Sequence, residues 1–120
     1  MTMTKEEKRK FSRIDSINLL NYIHFDENEE QANQGMGRTL NVSESGICLE
    51  THNPIDISHI VSLTIGFKED VVDIKGKVIY MKESSDGMYE SGIEFFEMDD
   101  NARSVLKRYI AAFNAQNSDR

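Results

Sequence analysis

Tryptophan is absent from this chain of 120 residues, cysteine and proline occur once each, and aromatic residues make up only 8% of it. A lone Cys48 cannot close a disulfide within the chain or make a metal site by itself, which fits a reducing cytosol. No stretch approaches the roughly eighteen uncharged apolar residues of a transmembrane helix, and the opening MTMTKEEKRK has no apolar segment of the signal-peptide kind. The expectation is a cytoplasmic protein without membrane insertion. Catalytic signatures are missing too. There is no G-x-S-x-G nucleophile motif, the carboxylates are scattered, and His24, His52 and His59 lack the short spacings of metal sites and read as surface or rim histidines. The chain is therefore expected not to be an enzyme and to hold no metal or cofactor.

What is present describes one domain. A mass of 13.8 kDa suffices for a single core, and 38% hydrophobic with 29% charged residues at a mean hydropathy of -0.53 belongs to a soluble protein that folds. The net charge of -7 is unevenly placed. Lys5, Lys8, Arg9, Lys10 and Arg13 against Glu6 and Glu7 leave the first thirteen residues at +3 and the remainder at -10. A small basic patch on an acidic body suits a compact anionic ligand better than a nucleic acid polymer, whose binding needs broad neutralisation by Lys and Arg. A groove for single-stranded RNA is further disfavoured by the shortage of clustered aromatics.

Along the chain, residues 1–13 carry no apolar period and read as a flexible basic arm. Ile17, Leu19, Ile23 and Phe25 share one parity, interrupted by Asn21, and predict a first strand. Asp26 to Gly37 is acidic, amide-rich and ends in Gly-Met-Gly, which predicts a mobile loop before a second strand approaches Leu40. Gly46 to Glu50 alternates as a third strand. After the only proline, Pro54, the residues Val61, Leu63, Ile65 and Phe67 alternate with Ser62, Thr64 and Gly66 as a fourth. A fifth runs from about Val72 to Lys82, and Ser84-Ser85-Asp86-Gly87 turns it back into Tyr89 to Phe96. Strands 14–98 without intervening helices predict a small antiparallel barrel or sandwich. Ala102, Val105, Leu106, Tyr109, Ile110 and Phe113 then follow helical spacing, predicting a helix over 99–113 that docks on the barrel, with Asp99 or Asp100 as its cap and 114–120 as a frayed tail.

Two clusters can carry recognition chemistry. Arg9-Lys10-Phe11-Ser12-Arg13 sets two guanidinium groups four residues apart, and a guanidinium can grip phosphate oxygens through parallel N–H bonds while its face stacks on a purine. Asn41-Val42-Ser43-Glu44-Ser45-Gly46 concentrates an amide, hydroxyls and accessible backbone in one bend, groups able to read a guanine edge. Taken singly, the first is also what a solvated basic arm contains, and the second is what turns are made of.

In combination the residues resemble the PilZ family, whose pattern is R-x-x-x-R, a strand and a variable loop, then [D/N]-x-S-x-x-G on a six-stranded barrel with a C-terminal helix. RKFSR supplies the first motif and NVSESG the second, while GKVIYMKE and GIEFFEMDDNARSVLKRYI look like the late strands and closing helix. The resemblance implies a receptor for cyclic-di-GMP, with Arg9 and Arg13 on phosphates and guanine faces and Asn41, Ser43 and Gly46 around one guanine. It places Lys8 where the family's choice of residue bears on whether one ligand or a stacked pair binds, with Lys10 beside it. Tyr80 falls where members often carry an aromatic, either to stack on a base at a barrel mouth or to fill the rim. The signal would pass to a separate downstream protein, from a monomer or weak dimer. The alternative is an adaptor of the same fold that binds no nucleotide.

Overall fold

The computed structural model describes residues 17–117. Six strands close into a barrel in the order β1-β2-β3-β6-β5-β4. They are β1 (Leu19–Phe25), β2 (Gln31–Val42), β3 (Gly46–Thr51), β4 (Ile60–Phe67), β5 (Asp70–Glu83) and β6 (Tyr89–Phe96), each antiparallel to its neighbours. Helix α1 (Asp100–Asn117) follows. This is the mainly β, six-stranded barrel with a C-terminal helix that the sequence predicts; the arm over residues 1–13 lies outside the described residues.

Alternation decides the inside. Ile47 and Leu49 of β3, Val61, Leu63 and Ile65 of β4, Ile74, Gly76 and Val78 of β5 and Ile93 of β6 are buried, and along β3, β4 and β5 these positions alternate with residues on the outer wall. Helix α1 adds Ala102, Leu106, Tyr109 and Phe113 to the same core and packs on β4 and β5. Its first turn is capped by Asp99, whose Oδ1 accepts from the Ala102 N–H at 2.8 Å. The helix runs on through Asn117, past Phe113 where the apolar stripe ends, because the polar residues of its last turn stay in regular backbone; Asn117 Nδ2 donates to the Phe113 carbonyl at 2.7 Å.

The first third of the barrel departs from the sequence reading in two respects. Strand β1 buries Leu20, Tyr22 and His24, the parity opposite to Leu19, Ile23 and Phe25, which form a half-buried outer face. Both faces carry apolar side chains, so alternation alone cannot choose between them. And the mobile loop expected over Asp26 to Gly37 shrinks to residues 26–30. Asp26 Oδ1 accepts from the Asn28 and Glu30 N–H groups, both at 2.9 Å, and Glu29 takes a φ of 64°. Strand β2 then begins at Gln31 and pairs with β1 from Gln31 to Arg38. Its glycines are not loop residues: a Cβ at Gly37 would stand 2.6 Å from Leu49 Cγ, so the bare backbone makes room for a fully buried leucine.

Candidate functional site

The bend from Asn41 to Gly46 joins β2 to β3. Ser43 N–H donates to the Gly46 carbonyl at 2.9 Å, Ser45 N–H donates to Ser43 Oγ at 3.2 Å, and the two serine hydroxyls lie 3.0 Å apart. Ser45 also accepts from Phe95 N–H at 2.9 Å, tying the bend to β6. Gly46 is required by this closeness, since a Cβ there would meet the Ile93 carbonyl oxygen at 2.4 Å. The bare side of Gly46 is turned towards β6.

Two β-bulges govern what stands beside the bend. In β2 the pairing with β3 skips Leu40, stepping from Thr39↔Leu49 to Asn41↔Cys48, and in β5 the pairing with β6 skips Ile79, stepping from Val78↔Ile93 to Tyr80↔Gly92. Thr39 and Val78 are buried, so strict alternation would send Asn41 and Tyr80 into the core. Each bulge inserts one residue and turns the next one outward. Cys48 pairs with Gly92, so the outer wall carries one transverse row, Asn41–Cys48–Gly92–Tyr80, with an amide at one end, an aromatic ring at the other and two small residues between. Three strand spacings of about 4.8 Å make it roughly 14 Å wide.

This row is the floor of a shallow recess of about 240 Å³, lined also by Val42, Ser43, Ser45, Gly46, Ile47, Ile79 and Ile93. The structure therefore brings Asn41, Ser43, Gly46 and Tyr80 together, and places Tyr80 on the outer wall rather than at a barrel mouth. Its ring lies over Gly92, where a Cβ would meet Tyr80 Cε2 at 2.2 Å, and it remains 41% exposed. The phenol donates to Glu90 Oε2 at 3.1 Å and lies 3.4 Å from Cys48 Sγ, which itself contacts Glu90 Oε2 at 3.3 Å. Hydrogen bonding to Cys48 and, behind it, desolvation push the Tyr80 phenol pKa up, and burial pushes the Cys48 thiol up. Both keep their protons at neutral pH, so the floor is uncharged.

Cys48, Ile79, Glu90 and Gly92 escaped the sequence reading. The run Val78-Ile79-Tyr80-Met81, four apolar residues where β5 otherwise alternates, is the trace a bulge leaves in sequence. Arg9, Arg13, Lys8 and Lys10 lie outside the described residues. Among the described residues no lysine or arginine lines the recess. The histidines also differ from expectation in one respect. His24 is buried at the end of β1, its Nε2 2.8 Å from His59 Nδ1, while His59 Nε2 lies 3.2 Å from Glu27 Oε1; His52 is exposed. Among the described residues no group of three or more His, Cys, Asp or Glu is placed to hold a metal ion.

Fold and recess together define a small antiparallel barrel, capped by a helix, that presents a polar bend and an exposed aromatic on its outer wall. The family model for the PilZ domain matches residues 7–112, and the chain belongs to that family. Among solved structures it is similar to the PilZ domain of YcgR from Escherichia coli with c-di-GMP, at a TM-score of 0.62 and 12% identity over 84% of this chain and 86% of that one. It is also similar to MrkH of K. pneumonia in its apo state (TM-score 0.58, 12% identity, 83% of this chain and 48% of that one). The PilZ domain of CeSA from a cellulose synthesizing bacterium gives 0.56 at 10% identity, over 80% and 93%. These likenesses establish the shared fold. No curated protein matches the chain.

Proposed function

We propose that the chain is a cyclic-di-GMP receptor that binds the dinucleotide in the outer-wall recess and relays the signal to a separate protein. The observation that carries this reading is the meeting of the NVSESG bend and Tyr80 around one recess whose described lining holds no cation. A ligand with two phosphates needs counter-charge, and the sequence offers it in Arg9 and Arg13. The chain enters the barrel at a suitable place: Leu19 pairs with Arg38, three residues before Asn41, and Tyr109 OH hydrogen-bonds both the Ile17 carbonyl and Thr39 Oγ1. From Ile17 the four residues back to Arg13 reach at most about 14 Å. Asn41 and Ser43 then read one guanine edge, Tyr80 stacks on a base, the two arginines with Lys10 bind phosphates, and Lys8 bears on whether one ligand or a pair is held.

The family match and the c-di-GMP in the related YcgR domain support the same ligand. Folding of the arm over the ligand turns a local contact into a changed surface for the downstream partner. Calorimetric titration with cyclic-di-GMP, cyclic-di-AMP and GTP tests the reading. Cyclic-di-GMP alone is expected to bind, and Arg9→Ala or Arg13→Ala to weaken it by about 1.5–3 kcal/mol, roughly ten- to more than a hundredfold. Ligand at about a hundred times its Kd should add ~2.7 kcal/mol of stability. No heat and no rise in Tm would overturn the proposal in favour of an adaptor working through protein contacts alone.

A further inference from the structure

We infer that Glu90 is a positioning residue of the recess: its carboxylate fixes the Tyr80 ring over Gly92 as a preformed platform for a base. The inference rests on the functional reading above. An exposed tyrosine ordinarily samples several rotamers, and a ligand that needs one of them bears the cost of selecting it. Tyr80 is held from three sides instead. Gly92 lets the ring lie flat on the wall, Glu90 Oε2 accepts from the phenol at 3.1 Å, and Cys48 Sγ closes the triangle at 3.4 Å from Tyr80 and 3.3 Å from Glu90. Glu90 is itself constrained, with a side chain 22% exposed on β6 and Lys82 Nζ 3.9 Å from the same oxygen. The ring stays 41% exposed and lines the recess, so part of it is open to a ligand.

By charge, a carboxylate is a poor neighbour for a dianionic ligand. Geometry and charge therefore make opposite demands on Glu90, and substitution separates them. Glu90→Gln keeps an acceptor oxygen and removes the charge, so it should bind cyclic-di-GMP at least as tightly as the wild type. Glu90→Leu removes the same charge and the acceptor with it, so freeing the ring should make it bind about twofold to about tenfold more weakly than Glu90→Gln. Tyr80→Phe, which removes the donor and leaves the charge in place, should bind about twofold to about tenfold more weakly than the wild type, and in a Tyr80→Ala background Glu90→Leu should bind no more weakly than Glu90→Gln.

The experiment pairs these titrations with aromatic NMR of the ligand-free proteins, in which the Tyr80 ring signals should shift towards rotamer-averaged values in Glu90→Leu and stay near wild type in Glu90→Gln. A wild type that binds, with Tyr80→Phe binding as tightly as the wild type and Glu90→Leu as tightly as Glu90→Gln, overturns the inference, as does a loss in Glu90→Leu relative to Glu90→Gln that persists in the Tyr80→Ala background. A wild type that binds nothing overturns the functional reading instead, and the ring signals alone then decide whether Glu90 holds Tyr80: unchanged signals in Glu90→Leu would refute it.

Discussion

Gly92→Ala separates the recess from the fold with a single methyl group. The new Cβ would lie 2.2 Å from Tyr80 Cε2, 2.5 Å from Cδ2 and 3.0 Å from Cζ, so the ring must leave. It can do so at small cost, because Tyr80 is 41% exposed. Gly92 does not use the left-handed region, so alanine fits the backbone and gains about 0.4–1 kcal/mol by restricting the unfolded chain. Against this stands the lost hydrogen bond to Glu90, about 1–1.5 kcal/mol at a half-exposed site. The two nearly cancel, and the urea midpoint should move by less than about 1 kcal/mol equivalent. Ligand binding should not be spared. Base–aromatic stacking is worth about 1–3 kcal/mol, so cyclic-di-GMP affinity should fall roughly fivefold to somewhat over a hundredfold, matching Tyr80→Ala. Gly37→Ala is the control: its Cβ meets Leu49, which is fully buried and cannot yield, so about 1–3 kcal/mol of stability should be lost with no direct effect on the recess. If Gly92→Ala bound the ligand like the wild type while Tyr80→Ala did not, the ring would not be the displaced group. If neither lost affinity, the platform would be refuted.

Two further outcomes follow from the buried polar groups. Tyr109→Phe leaves Thr39 Oγ1 and the Ile17 carbonyl without their partner in the core, and should cost about 1–3 kcal/mol by urea denaturation, part of it recovered when Thr39→Val is added; equal losses in the single and double variants would refute the coupling. Burial, reinforced by the neighbouring His59, holds the His24 pKa below its usual 6.5, although Asp56 and Asp26 oppose the shift. The unfolded chain therefore binds the extra proton first, and stability should fall as pH drops below 6.5, by at most about 1.4 kcal/mol per pH unit for this group, until His24 protonates in the folded state. Urea midpoints of wild type and His24→Met between pH 7.5 and 5 should diverge with falling pH, and parallel curves would refute the assignment.

Strands β3 and β4, the first part of β5 and helix α1 were legible because each has one apolar and one more polar face, so period and burial coincide, whereas β6, with three consecutive buried residues, was legible from the turn before it. Strand β1 offers apolar residues on both faces, and its inward parity depends on what stands opposite: Leu20 is paired with Gly37 and Tyr22 with Gly35, so large side chains on β1 lie across from bare backbone on β2. That complementarity belongs to the pair of strands and is invisible in either alone. The same glycines made the first half of β2 read as loop, although composition that weakens an isolated strand is what lets this one accept its neighbours. The buried His24 was missed for a related reason. The His24 ring can sit at the core end of its strand because another group hydrogen-bonds it there, and that group, His59, is 35 residues away.

The recess was half legible for a physical reason that bears on how it is built. Its residues announce themselves by type, as an amide and serine in a bend and a tyrosine on a late strand, but their direction is set by two bulges, at Leu40 and Ile79, that fall on either side of the same transverse row. Without them Asn41 would follow Thr39 inward and bury an amide at a cost of about 1–3 kcal/mol, and Tyr80 would follow Val78 into a core already filled by Leu63, Ile74 and Ile93. Each bulge thus relieves a core that could not accept the residue behind it, and the same step delivers that residue to the surface. The polar end and the aromatic end of the recess are consequently consequences of packing, fixed by the barrel before any ligand arrives.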